Sequence, residues 1–126
     1  MKIHNPPALA PGNGYSHGIE LPPNTRLLYI AGQLGATADG KMAPDMRGQS
    51  EQAWRNLGTV LQAAGMGYEN IVKLTHYLTR REDIGVYREV RAQFLSKLAP
   101  ASTLLVISAL ARPDALIEVE AVAAKE

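Results

Sequence analysis

The chain has 126 residues, 20% of them charged and 46% hydrophobic, with a formal charge of +1. That length and balance fit one globular domain over residues 1–126 and exclude a disordered chain. Near-neutral charge argues against nonspecific nucleic-acid binding, and the lack of cysteine removes disulfides, thiol catalysis and thiolate metal sites. No segment reaches the roughly 20 apolar residues that span a membrane, and residues 1–14 lack the apolar stretch of a signal peptide. With no cysteine to protect, the expectation is a reducing, cytoplasmic location.

Residues 1–14, rich in Pro, Gly and Asn, read as an extended arm with a short edge strand near Ile3; a second short strand is expected over Tyr15–Ile19. Pro22, Pro23 and Asn24 mark a turn. Arg26–Gly32 is a strand whose continuous apolar run predicts burial on both faces. Asp39-Gly40 signals a hairpin turn within Thr37–Lys41. A helix follows over Asp45–Ala64, where Met46, Ala53, Leu57, Val60, Leu61 and Ala64 share a stripe. Asp45 can cap its free amides, and Gly65 can take the left-handed position at its end. Gly58 costs the helix about 1 kcal/mol relative to Ala and points to close packing on a sheet.

The next strand, Ile71–Leu78, places Val72, Leu74, His76 and Leu78 on one face and Ile71, Lys73, Thr75 and Tyr77 on the other. A second helix is predicted over Asp83–Leu98, where Ile84, Tyr87, Val90, Arg91, Phe94, Leu95 and Leu98 recur at three and four. Thr79 and Glu82 match a capping box, and Asp83 is an equally good cap. Two runs close the chain, Ala101–Leu110 and Ala115–Ala123. In the second, Glu118 and Glu120 share one strand face, opposite Ile117, Val119, Ala121 and Ala123. Burying such carboxylates is costly unless they are paired, so whether that face is wet or enclosed decides what they do. The element order predicts an α+β fold, one mixed sheet with two helices on one face. The other sheet face is then bare, and a multimer would cover it.

Taken in order and spacing, several segments resemble the Rid family, also called YjgF/YER057c/UK114 or L-PSP. They are Gly14-Tyr15-Ser16-His17-Gly18, Ala31-Gly32-Gln33, the Gln49–Gly65 helix, Ile71-Val72-Lys73-Leu74-Thr75 and the closing Ile117–Ala123 run. No one of them is specific alone; together they cover nearly the whole chain. The resemblance implies a chorismate mutase-like fold, a homotrimer and ligand pockets between subunits. It also implies hydrolysis of reactive enamines and imines, 2-aminoacrylate among them, to 2-oxo acids and ammonia, without metal or cofactor.

Family members usually carry Pro-Ala-Arg before the penultimate strand, the arginine binding the substrate carboxylate. Here the stretch is Pro100-Ala101-Ser102, followed by Thr103. Serine cannot supply a cationic bidentate clamp. The expectation is therefore a small-molecule hydrolase or deaminase acting on an imine or enamine other than 2-aminoacrylate. The alternative is a catalytically inactive, metabolite-binding or regulatory trimer. By the same resemblance Glu120 is the catalytic carboxylate that positions or activates water. Tyr15, Gly32, Gln33, Arg88, Ser102 and Thr103 are the expected substrate-binding residues, with Glu118 in an ion pair or at the rim. Arg88 falls near a family pocket asparagine and could stand in for the missing clamp. Ser102 has no Gly-x-Ser-x-Gly elbow and no base that the sequence places beside it. His4, His17 and His76 lack the spacing of a metal motif. The expected partners are a small molecule and further copies of the chain, with neither membrane nor nucleic acid.

Overall fold

A computed structural model describes residues 1–126. Its main elements are β1 (Lys2–His4), β2 (Gly18–Glu20), β3 (Arg26–Leu34), α1 (Met46–Ala63), β4 (Ile71–Leu78), α2 (Ile84–Leu95), β5 (Ala101–Val106) and β6 (Ile117–Lys125). Four strands form a mixed sheet in the order β3-β6-β4-β5. β6 runs antiparallel to both β3 and β4, and β5 runs parallel to β4. A parallel neighbour needs a crossover rather than a hairpin, and α2 supplies it.

Both helices cover the same face of this sheet. Trp54, Leu57 and Leu61 of α1 and Tyr87 and Val90 of α2 meet Leu74, Leu78, Ile117 and Val119, all fully buried. Each large apolar side chain so enclosed contributes about 1.5–3 kcal/mol. The expected cap of α1 forms, with the Asp45 carboxylate accepting from the Gly48 amide at 2.7 Å. At the other end Gly65 takes φ +69°, and the Met66 amide reaches the Leu61 carbonyl at 2.9 Å. In β6, Ile117, Val119, Ala121 and Ala123 are buried and Glu118 and Glu120 face the other way, as alternation requires.

Several expectations need correction. β1 and β2 pair only with each other, as a separate two-stranded ribbon, so the strands do not form one sheet. The second short strand starts at Gly18, leaving Tyr15 in the preceding loop. β3 is not buried on both faces: Tyr29 is 75% and Leu27 49% exposed. It is an edge strand paired only to β6, and the helices lie on one side. Gly58 does not admit a sheet. A Cβ there would meet Tyr68, whose hydroxyl donates to the Trp54 carbonyl at 2.7 Å. Neither expected cap forms before α2: a 3-10 turn over Arg81–Asp83 takes the place of the Thr79–Glu82 box, and the Asp83 carboxylate accepts from Arg80 at 2.7 and 3.0 Å instead. α2 stops at Leu95, where Ser96 turns to φ +51°, and β5 stops at Val106 rather than Leu110.

Candidate functional site

The sheet face away from the helices carries Glu118 and Glu120. Glu120 accepts a hydrogen bond from the Tyr77 hydroxyl, which raises the Tyr77 pKa above its ordinary value and keeps the phenol protonated. Glu118 sits at the end of the strand, where the β3 register slips between Ile30 and Gln33. That bulge contains Gly32, and a Cβ on Gly32 would overlap the Glu118 carboxylate. A side chain at position 32 would displace the Glu118 carboxylate, so the glycine permits this close approach. Of the two glutamates, Glu118 is the one against Gly32 and without a hydrogen-bond donor in the chain. Gln33 spends its amide on its own strand, donating to the Ala31 carbonyl at 3.0 Å.

A buried side chain that sequence reasoning passed over holds this corner. Gln49, 2% exposed, donates to the carbonyls of Ala43 at 3.0 Å and Asp114 at 2.9 Å and accepts from the Leu116 amide at 2.8 Å. Asn56 donates to the carbonyls of Leu34 and Ala36 at 3.0 and 2.9 Å. Together they tie the end of β3 and the start of β6 to α1. The signal for them was two amides on the stripe side of an amphipathic helix, where apolar residues are the rule.

The middle of the same face forms a depression of about 580 Å³ lined by Tyr29, Ala31, Lys73, Thr75, Glu120 and Val122, among others. Thr103 belongs to this face too, its hydroxyl accepting from the Lys73 ammonium at 3.0 Å.

Ser102 lies on the opposite face. It registers with buried Leu74 while Thr103 registers with Thr75, so adjacent residues of β5 point to the two sides of the sheet. Ser102 opens into a second cavity of about 200 Å³, lined by Asn13, Tyr15, Arg88, Arg91, Ser102 and Leu104. Three expected residues, Tyr15, Arg88 and Ser102, therefore converge, separated within the protomer from Glu118, Glu120, Gly32 and Thr103. Arg91 was read as part of the apolar stripe of the second helix. Its spacing of three from Arg88 is the signal that would have found it.

Behind Ser102 lies a buried polar row. The Ser102 hydroxyl is 2.7 Å from His76 Nε2, the His76 Nδ1 bonds the Tyr87 hydroxyl, and the Trp54 indole donates to that hydroxyl at 3.3 Å. Burial, then the positive charges of Arg91 and Lys73, push the His76 pKa down to about 3, so the ring is neutral. Burial likewise raises the Tyr87 pKa and keeps that phenol protonated. The imidazole beside Ser102 comes from β4, the strand paired to β5.

A sequence model of the family described as Endoribonuclease L-PSP matches residues 5–125. The chain is similar to the 2-iminobutanoate/2-iminopropanoate deaminase of Mus musculus, 32% identical over 120 residues, which cover 94% of this chain and 84% of the mouse protein. Among solved structures it is similar to YyfB of Yersinia pestis, a Rid-family protein of unknown function, with TM-score 0.85, 30% identity and coverage of 97% and 96%. It is also similar to TdcF of E. coli with bound serine, at TM-score 0.75, 25% identity and 98% coverage of both chains.

Proposed function

The chain belongs to the L-PSP family, also known as the Rid family, and from that membership we propose that it hydrolyses small imines or enamines in a site assembled between copies of the chain. The observation that carries this reading is the division of the site residues. A carboxylate corner at Gly32 and Glu118 and a polar cavity at Tyr15, Arg88 and Ser102 lie on opposite faces of one sheet. One protomer cannot bring them to the same small molecule, whereas a second copy stacked on the bare face can. The exposed Tyr29, Leu27 and Leu105 give that face the apolar surface an interface needs. A homotrimer is the assembly the family resemblance implies.

In this site a β6 carboxylate accepts a proton from water as the oxygen attacks the imine carbon. That proton passes to nitrogen to give a carbinolamine, whose hydroxyl then yields its own proton through the same carboxylate to the nitrogen as the carbon–nitrogen bond breaks, so imine plus water gives a carbonyl and ammonia. Glu118 is the better-placed carboxylate, because it is free of donors and lies over Gly32; Glu120 is engaged by Tyr77. The similarity to a 2-iminobutanoate/2-iminopropanoate deaminase supports the reaction class.

Ammonia release from a panel of freshly generated imines tests the reading. Wild type should exceed buffer, Glu118→Gln should fall by about 100-fold or more, and Glu120→Gln should stay within about tenfold of wild type. Rates no better than buffer across the panel overturn the hydrolase. Equal losses in both variants overturn the choice of Glu118. Ligand capture without turnover would favour the metabolite-binding trimer instead.

A further inference from the structure

An asparagine side chain can be attacked by the backbone nitrogen of the residue that follows it, and four of the five asparagines are protected from this. Asn5 precedes Pro6, which has no amide hydrogen to give up. Asn24 precedes Thr25, whose branched Cβ crowds its nitrogen. Asn56 lies inside α1 and donates to the carbonyls of Leu34 and Ala36. The Asn70 side chain accepts from the Gly67 amide at 2.9 Å, and the next amide, that of Ile71, donates to the Tyr68 carbonyl.

Asn13 differs in each respect. It is exposed, it precedes Gly14, and neither its side chain nor the Gly14 amide makes a hydrogen bond within the chain. Gly14 holds φ +78° and has no Cβ to shield its nitrogen. A cation also stands beside the pair, because Arg91 Nη2 would lie 3.2 Å from a Cβ on Gly14. A guanidinium there stabilises the negative charge that develops as the Gly14 nitrogen loses its proton and attacks. Asp39-Gly40 is the contrasting dipeptide. Its Gly40 amide donates to the Thr37 carbonyl at 2.8 Å. The Thr37 hydroxyl and the Lys41 amide hold the Asp39 pKa below its ordinary value, so that carboxylate is ionised and a poor electrophile.

We propose that Asn13-Gly14 is a self-modification site, where loss of ammonia leaves a carboxylate at position 13 that pairs with Arg91. The Gly14 nitrogen bonds to Asn13 Cγ, the Cγ–Nδ2 bond breaks, and the Gly14 amide proton leaves with that nitrogen as ammonia. Water then opens the succinimide. Attack at Cγ gives aspartate; attack at the main-chain carbonyl gives isoaspartate, with one more carbon in the backbone. Asn13 lines the cavity of about 200 Å³ that also holds Arg88 and Arg91. No carboxylate lines that cavity and neither arginine is in an ion pair, whereas Arg47, Arg55, Arg80 and Arg112 each have an acidic partner. The product therefore puts an anion where the chain has only unpaired cations. The chemistry needs only water, so it stands apart from the proposed hydrolase.

Incubation of the intact protein in mildly alkaline heavy-oxygen water, followed by peptide mass mapping, tests the site. Label should enter at Asn13 at least about tenfold faster than at any other asparagine, a barrier difference of about 1.4 kcal/mol. Asn13→Gln should abolish it, because the larger ring closes poorly. Arg91→Gln should slow it several-fold in the native protein and leave the rate in urea unchanged, which a change in intrinsic reactivity would not produce. In a separate arm, the carboxyl introduced by Asn13→Asp should titrate, by NMR, about one unit below an ordinary aspartate and return to it when Arg91→Gln is added. Uptake at Asn13 no faster than elsewhere, or more than about tenfold slower in the native state than in urea, overturns the site. Equal native rates with and without Arg91 overturn its part in the reaction, and an ordinary titration in the aspartate variant overturns the pairing.

Discussion

The two faces of the four-stranded sheet are built from the same strands and have opposite characters. On the helix side Leu74, Leu78, Ile117 and Val119 are fully buried, and the polar groups that intrude, Gln49 and His76, are matched by partners. On the other side Tyr29 and Leu105 stand out at 75% and 42% exposure beside Glu118, Glu120 and Lys73. Apart from the buried Ser50 hydroxyl, which has no partner, the closed face is satisfied within the chain and carries the fold. The open face mixes apolar surface with charge, the combination the proposed interface and its site would use. The core is thus confined to one side of the layer, while the candidate site residues lie on both.

The contrast can be broken first at the open face. Tyr29→Glu places an unpaired charge on its exposed β3 edge, where burial against another copy costs several kcal/mol. Sedimentation should show assemblies reduced to monomers while far-ultraviolet circular dichroism keeps its wild-type shape. An unchanged assembly would mean that this face is not the interface. The matching change on the closed face, Leu57→Ala, should lower unfolding free energy by about 2–5 kcal/mol in urea titration.

A smaller effect separates the faces by pH. Folded His76 stays neutral down to about pH 3, whereas an unfolded histidine takes up its proton near pH 6.5. The unfolded state therefore binds more protons in that window. The stabilisation from His76 is present above about pH 6.5 and is lost as pH falls toward 3. Its steepest slope is about 1.4 kcal/mol per pH unit. Urea midpoints of wild type and His76→Gln between pH 6.5 and 5 should converge as the pH drops, while carboxylate titration affects both alike. Asp45→Ala gives the smallest expected change. Loss of the cap on α1 should cost about 1 kcal/mol, read from the same titrations.

α1, β4 and β6 were legible in the chain because each has a clean period and ends on residues with a local reason to be there. Asp45 and Gly65 bracket α1, and alternation along Ile117–Ala123 put the two glutamates on one face. Those are short-range properties, set by side-chain direction and backbone freedom. The family resemblance was legible as well, because it rests on the order of many weak motifs along the chain; the single pocket it implied, Tyr15, Gly32, Gln33, Arg88, Ser102 and Thr103 with Glu120, is divided in the protomer, where only Tyr15, Arg88 and Ser102 line one cavity.

What tertiary structure alone decided were the relations between distant segments. Alternation could not choose between Glu118 and Glu120, since both point the same way; the choice came from the bulge that brings Gly32 under Glu118 and from Tyr77 reaching Glu120. The apolar run of β3 could not reveal that it is an edge strand with one face uncovered. The pairing of His76 with Ser102, 26 residues apart, exists only because β4 and β5 run parallel in one register. Composition and period determine which residues can be inside and which side of an element they face. Which other element they meet there is fixed by strand order and register, and for this chain that determines which carboxylate lies beside Gly32 and which arginines surround the serine.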